Sequence, residues 1–252
     1  MPPARPNLTL ELVGRVPPID PDMAPPAPPA DRRPASDSDY AEMVQNVLRS
    51  VDDPAQVHVF AYGSLIWNTC FAHEGETVAT ARGWHRAFRL GWDMWFRGSP
   101  QRPGLMLVLD RGGTCRGVCY RLPERRLADE LEALFRREAL LLPHPFPARW
   151  ITVEGKRPMR ALTFAMERTS GAYVPGMPED RLAEILALAA GPRGTMAEYL
   201  YNTVTHLEDR GIRDRQLWRL QSLVAERLAA LPPCLSHSPK EGGDTLPDGR
   251  RT

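Results

Sequence analysis

Residues 57–67 read VHVFAYGSLIW. The first part is rich in β-branched and aromatic residues, which predicts a buried strand over 56–62. That strand stops at Tyr62-Gly63-Ser64-Leu65 and is followed at once by bulky apolar residues. Two readings fit such an interruption. One is a tight turn between strands. The other is a loop whose successive N–H groups converge on one point, where glycine permits close approach and serine adds a polar contact, so that a carboxylate or a developing oxyanion could be held.

Working outward, the pattern is strands first and helices later. ETVATARGW and HRAFRLGW read as strands around Gly83, and 104–110 and 115–122 as strands flanking an RGG turn, a hairpin signal. A helix is predicted over 126–141, and a second hairpin over 148–155 and 158–167. A short helix is expected at 39–50, and the remainder is helical. PEDRLAEILALAA ends at Gly191-Pro192, a segment opening at Thr195 carries Glu198 at capping-box spacing, and a last helix stops at Pro232. This order predicts an α+β fold rather than a regular series of βαβ units.

The chain has 252 residues, of which 42% are hydrophobic and 25% charged, and a formal net charge of +1. These values suit a globular protein and give no global field for nucleic acid or an anionic membrane. No apolar run is long enough to span a membrane, and the N-terminus lacks the pattern of a signal peptide, so a reducing, cytoplasmic setting is expected. The 26 prolines are unevenly spread. Residues 1–40 are expected to be a Pro-rich, mostly disordered arm, 41–231 the folded domain, and 232–252 a second disordered tail. A protein partner docking on PPAPP in the arm is the alternative to a solvated tail.

Few residues are positioned for chemistry. The histidines at 58, 73, 85, 144, 206 and 237 are scattered without helical ligand spacing, so no metal is expected. AYGSLI lacks the spacing of a nucleophile elbow. Cys115 and Cys119 share a strand face and read as small apolar residues. The helix over 126–141 is more informative. Leu127, Leu131, Leu134 and Phe135 form its apolar stripe, and the next position on that stripe is Glu138, while Glu124, Glu130, Glu132, Arg136 and Arg137 fall largely off it. A carboxylate carried into an apolar wall is either paired with an arginine or has a raised pKa suited to proton transfer. FRGSPQRPG sets Arg97 and Arg102 in a Gly/Pro loop, where an arginine is either solvated or holds a ligand. Of Tyr199 and Tyr201, at most one can face a shared cavity.

Taken in order, VFAYGSLIW, GWHRAFRL, RGSPQRPGLML, GVCYRLP, RRE and AAGPRGTMAEYLYNTVTHLEDRGI resemble the ChaC-like family of gamma-glutamylcyclotransferases, from Val57 to Leu231. The resemblance implies a small, mostly antiparallel β-barrel with packed helices, and cleavage of glutathione to 5-oxoproline and cysteinylglycine without a cofactor. It implies that Glu138 is the essential carboxylate, and the proton transfers of such a ring closure assign it the role of general acid and base. It also implies that Tyr62, Gly63, Ser64 and Leu65 hold the gamma-glutamyl group, with Tyr199 a further substrate contact. The segment EALLLPHPFPARW departs from the family pattern, with Phe146 near the position of an expected tyrosine. That departure keeps open the same chemistry on another gamma-glutamyl amide or amine. A non-catalytic protein associated with cation transport is the reading from another class.

Overall fold

The computed structural model describes residues 6–16, 19 and 26–232. In chain order the elements are α1 (Leu10–Val13), β1 (Arg33–Pro34), α2 (Asp37–Arg49), β2 (His58–Ala61), β3 (Gly75–Asp93), β4 (Gly104–Arg121), α3 (Leu127–Glu138), β5 (Leu141–Leu142), β6 (Ala148–Glu154), β7 (Pro158–Phe164), α4 (Glu179–Leu188), β8 (Ala190–Gly191), β9 (Gly194–Thr195), α5 (Met196–Glu208) and α6 (Arg215–Ala229). Strands β2-β4-β3-β6-β7 close into a barrel. All neighbours pair antiparallel except β2 and β7, whose parallel bridge at Val59 and Leu162 completes the ring. The α+β barrel expected from the sequence is the fold observed. No described helix is long and apolar enough to cross a membrane.

Strand alternation separates two cores. Phe60, Tyr62, Ala79, Ala81, Leu109, Cys115, Cys119, Val153 and Ala161 form a cluster supplied by the barrel strands and the ends that extend them, with no helical residue, so they fill the barrel interior. Most are small, as a five-stranded barrel requires. The alternate positions, among them Val59, Ala61, Val118, Tyr120 and Leu162, face outward into a second cluster that the helices cover.

The turn expected at Arg111-Gly112-Gly113 does not form. β4 runs straight through it, paired with β3 from Gly75↔Arg121 to Asp93↔Gly104. Arg82 pairs with Thr114 and Trp84 with Arg111, so Gly83 alone opposes Gly112 and Gly113. All three glycines have positive φ (78°, 100° and 71°). A bulge needs such residues as much as a hairpin does, which is why the signal misleads. The real hairpin turn is the 94–103 loop.

The disordered arm expected over residues 1–40 also needs correction. Leu8, Val13 and Val16 are buried in the helix-covered core. The Leu8 N–H donates to Gln221 Oε1 at 2.7 Å, and Arg15 Nη1 donates to the Leu228, Ala229 and Leu231 carbonyls at the end of α6. Further on, the Pro26 carbonyl accepts from Trp95 Nε1, and β1 pairs with β5. The prolines stop regular structure where they stand, but residues 7–16 contain none and carry apolar anchors. The tail expected over 232–252 lies outside the described residues, apart from Pro232.

Candidate active site

β2 ends at Ala61, and the chain enters a single 3-10 turn over Ser64–Ile66, closed by Ile66 N–H donating to the Gly63 carbonyl at 2.9 Å. The N–H groups opening such a turn have no partner within it. Gly63 is required by close approach. A Cβ there would stand 3.1 Å from the Tyr199 hydroxyl. The Tyr199 ring packs edge-on against Trp67 (5.7 Å) and Phe88 (6.4 Å), which resists the few tenths of an ångström it would have to yield. Tyr201, on the far side of α5, is only partly buried.

Arg86 holds the loop from below. It is 3% exposed, and its Nε donates to the Tyr62 carbonyl at 2.6 Å. Its Nη1 meets Asp214 Oδ2 at 3.0 Å, and Nη2 donates to the Arg116 carbonyl. The sequence reading missed this residue. The signal was available: Trp84, Arg86 and Phe88 share a strand face, and a charge between two rings needs partners.

Glu138 ends α3 with its side chain 17% exposed, beyond the fully buried Leu131 and Leu134. Burial pushes its carboxyl up, and the neighbouring Arg137 guanidinium, 3.6 Å away, pulls it partly back. Burial also raises the Tyr62 phenol well above the usual value and Tyr199 to about 12, and the Glu138 charge pushes both further in the same direction. Burial thus disfavours the charged form of all three groups. Arg137 joins Glu138 to the loop, its Nη2 donating to Ser64 Oγ at 3.1 Å.

Glu138 lies on the stripe as expected, but Glu130 does not lie off it. Glu130 is buried, accepting from the Ala72 N–H at 2.7 Å and pairing with Arg126. The 71–73 segment covers that flank of α3, which helical periodicity alone could not show.

Arg97 approaches the same cluster from the 94–103 loop. Buried Asp93 shapes the loop by accepting from the Trp95, Phe96 and Arg97 N–H groups. Gly98 is obligatory there, since a Cβ would fall 2.0 Å from the Asp93 carbonyl. The Arg97 guanidinium lies 5.5 Å from the Tyr199 ring and 5.7 Å from the Trp67 ring. Its Nη1, however, is held by Glu198 Oε2 at 2.7 Å and the Thr195 carbonyl at 2.9 Å. Thr195 caps α5 by accepting from Glu198 N–H, while the Glu198 carboxylate is turned to Arg97.

The loop after Glu138 is held differently. His144 Nε2 donates to the Glu138 carbonyl at 2.5 Å, and its ring packs on Phe146 at 4.1 Å. Burial lowers the His144 pKa to about 4, so the ring is neutral. Phe146 in turn meets Phe164 edge-on at 6.4 Å. β1 crosses this loop, Arg33 opposite Leu142 and Pro34 opposite Leu141, with Ala35 N–H donating to the Leu140 carbonyl. Among the described residues, no group of three or more His, Cys, Asp or Glu is gathered as a metal site would require.

Arg137 thus ties Glu138 to Ser64, the Tyr199 hydroxyl lies against Gly63, and Arg97 stands beside the Tyr199 ring. Residues 57–227 match the family described as ChaC-like protein. Glutathione-specific gamma-glutamylcyclotransferase of Escherichia coli (strain K12) is 35% identical over 179 residues, covering 70% of this chain and 76% of that protein. Glutathione-specific gamma-glutamylcyclotransferase 1 of Homo sapiens is 26% identical over 84% of this chain and 92% of its own length. The crystal structure of the yeast gamma-glutamyl cyclotransferase specific to glutathione superposes with a TM-score of 0.60 at 19% identity, over 68% of this chain and 99% of the yeast chain, a likeness of fold. On the family match, supported by the Escherichia coli relative, the chain belongs to the ChaC-like family.

Proposed function

We propose that this protein is a glutathione-specific gamma-glutamylcyclotransferase with Glu138 as its general acid and base. The observation that carries the reading is the link from Glu138 through Arg137 to Ser64, with the Tyr199 hydroxyl against Gly63 of the same loop. The names of the relatives supply the substrate class.

The free α-amine of the gamma-glutamyl group attacks its own γ-carbonyl. A C–N bond forms to close a five-membered lactam, and the amide bond to the cysteinyl nitrogen breaks. Ring closure is intramolecular, so the protein's main task is to fold the substrate into attack geometry. The amine loses a proton and the departing nitrogen gains one, and a carboxylate between the two can carry it. Burial raises the Glu138 pKa, which brings it closer to the range in which it can do both. The carbonyl oxygen becomes anionic during the transfer, and the N–H groups of Gly63, Ser64 and Leu65 are the donors we assign to it. Tyr62 and Tyr199 line the gamma-glutamyl pocket, and Arg97 steadies Tyr199 from behind. The products are 5-oxoproline and cysteinylglycine. The reaction is placed in the cytoplasm, where the glutathione pool is maintained.

The test is release of 5-oxoproline from glutathione by the full chain, and its loss in Glu138→Gln with the fold retained. Retained turnover in that variant would remove the mechanism.

A further inference from the structure

Three arginines surround the 62–65 loop, and they differ in how their charge is spent. Arg86 is enclosed by Asp214 and two carbonyls. Arg97 is held by Glu198 and the Thr195 carbonyl. Arg137 is different. Its Nη2 donates to Ser64 Oγ, but Nη1 is buried and has no hydrogen-bond partner among the described residues. The nearest carboxylate oxygen, Glu138 Oε1, is 3.6 Å away, beyond a hydrogen bond. The Cys70 thiol also lies beside the guanidinium, but it donates to the Ala133 carbonyl and its sulfur is only a weak acceptor from Arg137. A buried guanidinium N–H without an acceptor is costly, and the cost is recovered when an anion fills the position.

Resting on the cyclotransferase reading, we propose that Arg137 is the substrate-binding cation that takes the α-carboxylate of the gamma-glutamyl group and so selects for it. The geometry has a consequence for the reaction. The α-carboxylate and the attacking amine sit on the same carbon. A carboxylate bound at Nη1, beside Glu138, therefore delivers the amine next to the group that must accept its proton. The charges cooperate as well. Arg137 holds the Glu138 carboxyl down in the free protein. Once a substrate carboxylate neutralises the guanidinium, that restraint weakens and Glu138 becomes a stronger base when the amine is in place.

The experiment compares glutathione with 4-aminobutyryl-cysteinylglycine, which lacks only the α-carboxylate and closes to 2-pyrrolidinone by the same attack. Lactam release is measured with the full chain and with Arg137→Met and Arg137→Lys. The wild-type kcat/KM ratio favours glutathione by about 100-fold, the scale of a lost charge-assisted hydrogen-bond pair. In Arg137→Met that ratio collapses to within a few-fold, and Arg137→Lys recovers part of it. A ratio unchanged in Arg137→Met overturns the proposal. So does a variant whose only lost preference is for glutathione over its glycine amide, since Arg137 would then read the other carboxylate. If the wild-type chain releases no lactam from glutathione, the cyclotransferase reading itself fails and takes the proposal with it. Turnover of glutathione with an unaltered ratio removes the proposal alone.

Discussion

The 62–65 loop and the 139–148 loop border the same carboxylate but are held by different means. The first is fixed from inside the barrel. Arg86 holds the Tyr62 carbonyl, the Tyr62 ring belongs to the interior core, and the Tyr199 hydroxyl lies against Gly63. The second is fixed from outside. The His144 hydrogen bond, the packing of Phe146 on Phe164, the Glu167 and Ala165 N–H groups donating to the Pro145 and Pro147 carbonyls, and a two-residue strand from the N-terminal arm keep it in place. A loop built on the core keeps its geometry as long as the fold exists, so it suits the invariant part of a substrate. A loop tied down by a segment about a hundred residues earlier can change without unfolding the barrel, so it suits adjustment of substrate choice.

The largest expected effect comes from removing the internal hold. Arg86→Met leaves Asp214 and the Tyr62 and Arg116 carbonyls without their partner and is expected to cost about 3–5 kcal/mol in denaturant unfolding. Activity should fall with it, because the loop loses its anchor. Gly63→Ala comes next. Its methyl meets the Tyr199 oxygen at 3.1 Å, and kcat/KM should fall on the order of tenfold. Adding Tyr199→Phe should restore the melting temperature by removing that oxygen, without restoring activity.

The two sides should also respond to pH in opposite directions. The folded-state pKa of Glu138 is raised, so the fold favours its protonated form and pays an increasing penalty as pH rises from the unfolded value near 4.5 through the folded one. Glu138→Gln should therefore melt higher than wild type at pH 7, by roughly 2–4 °C for each kcal/mol relieved, and lose that advantage below about pH 4.5. The folded-state pKa of His144 is lowered to about 4, so the fold favours the neutral ring and loses stability as pH falls from 6.5 toward 4. His144→Gln should flatten the melting curve across that interval. Equal slopes in wild type and both variants would mean that neither group is held as described.

The smallest effect is expected at the strap. Ala35→Pro removes the N–H that donates to the Leu140 carbonyl, a loss of about 1 kcal/mol. KM for glutathione should rise a few-fold with kcat nearly unchanged, and the melting temperature should fall by only about 2–4 °C. A kcat loss as large as that of Gly63→Ala would erase the distinction between the two loops.

Legibility in the sequence follows the same division. Alternation and helical periodicity are local signals, and they located β2, β6, β7, α3 and the stripe position of Glu138. They failed where distant segments decide the outcome. Gly112 and Gly113 carry a turn signal, but Gly83 opposite turns it into a bulge. The arm has a composition that argues for disorder, yet Leu8 and Val13 find a groove that only the assembled helices provide. Arg137 reads as a surface residue one step off the stripe, but at the last turn of α3 its side chain reaches round to Ser64. Arg86 and His144 act through backbone carbonyls of other segments, and no spacing rule reports such partners.

The central claim is that one buried carboxylate moves the proton. The most direct measurement is 5-oxoproline released from glutathione by wild type and Glu138→Gln, with glutathione binding measured on the same samples. The account predicts release by wild type, and at least a thousandfold loss in the variant with binding and cooperative unfolding retained. Release by the variant within tenfold of wild type would contradict it.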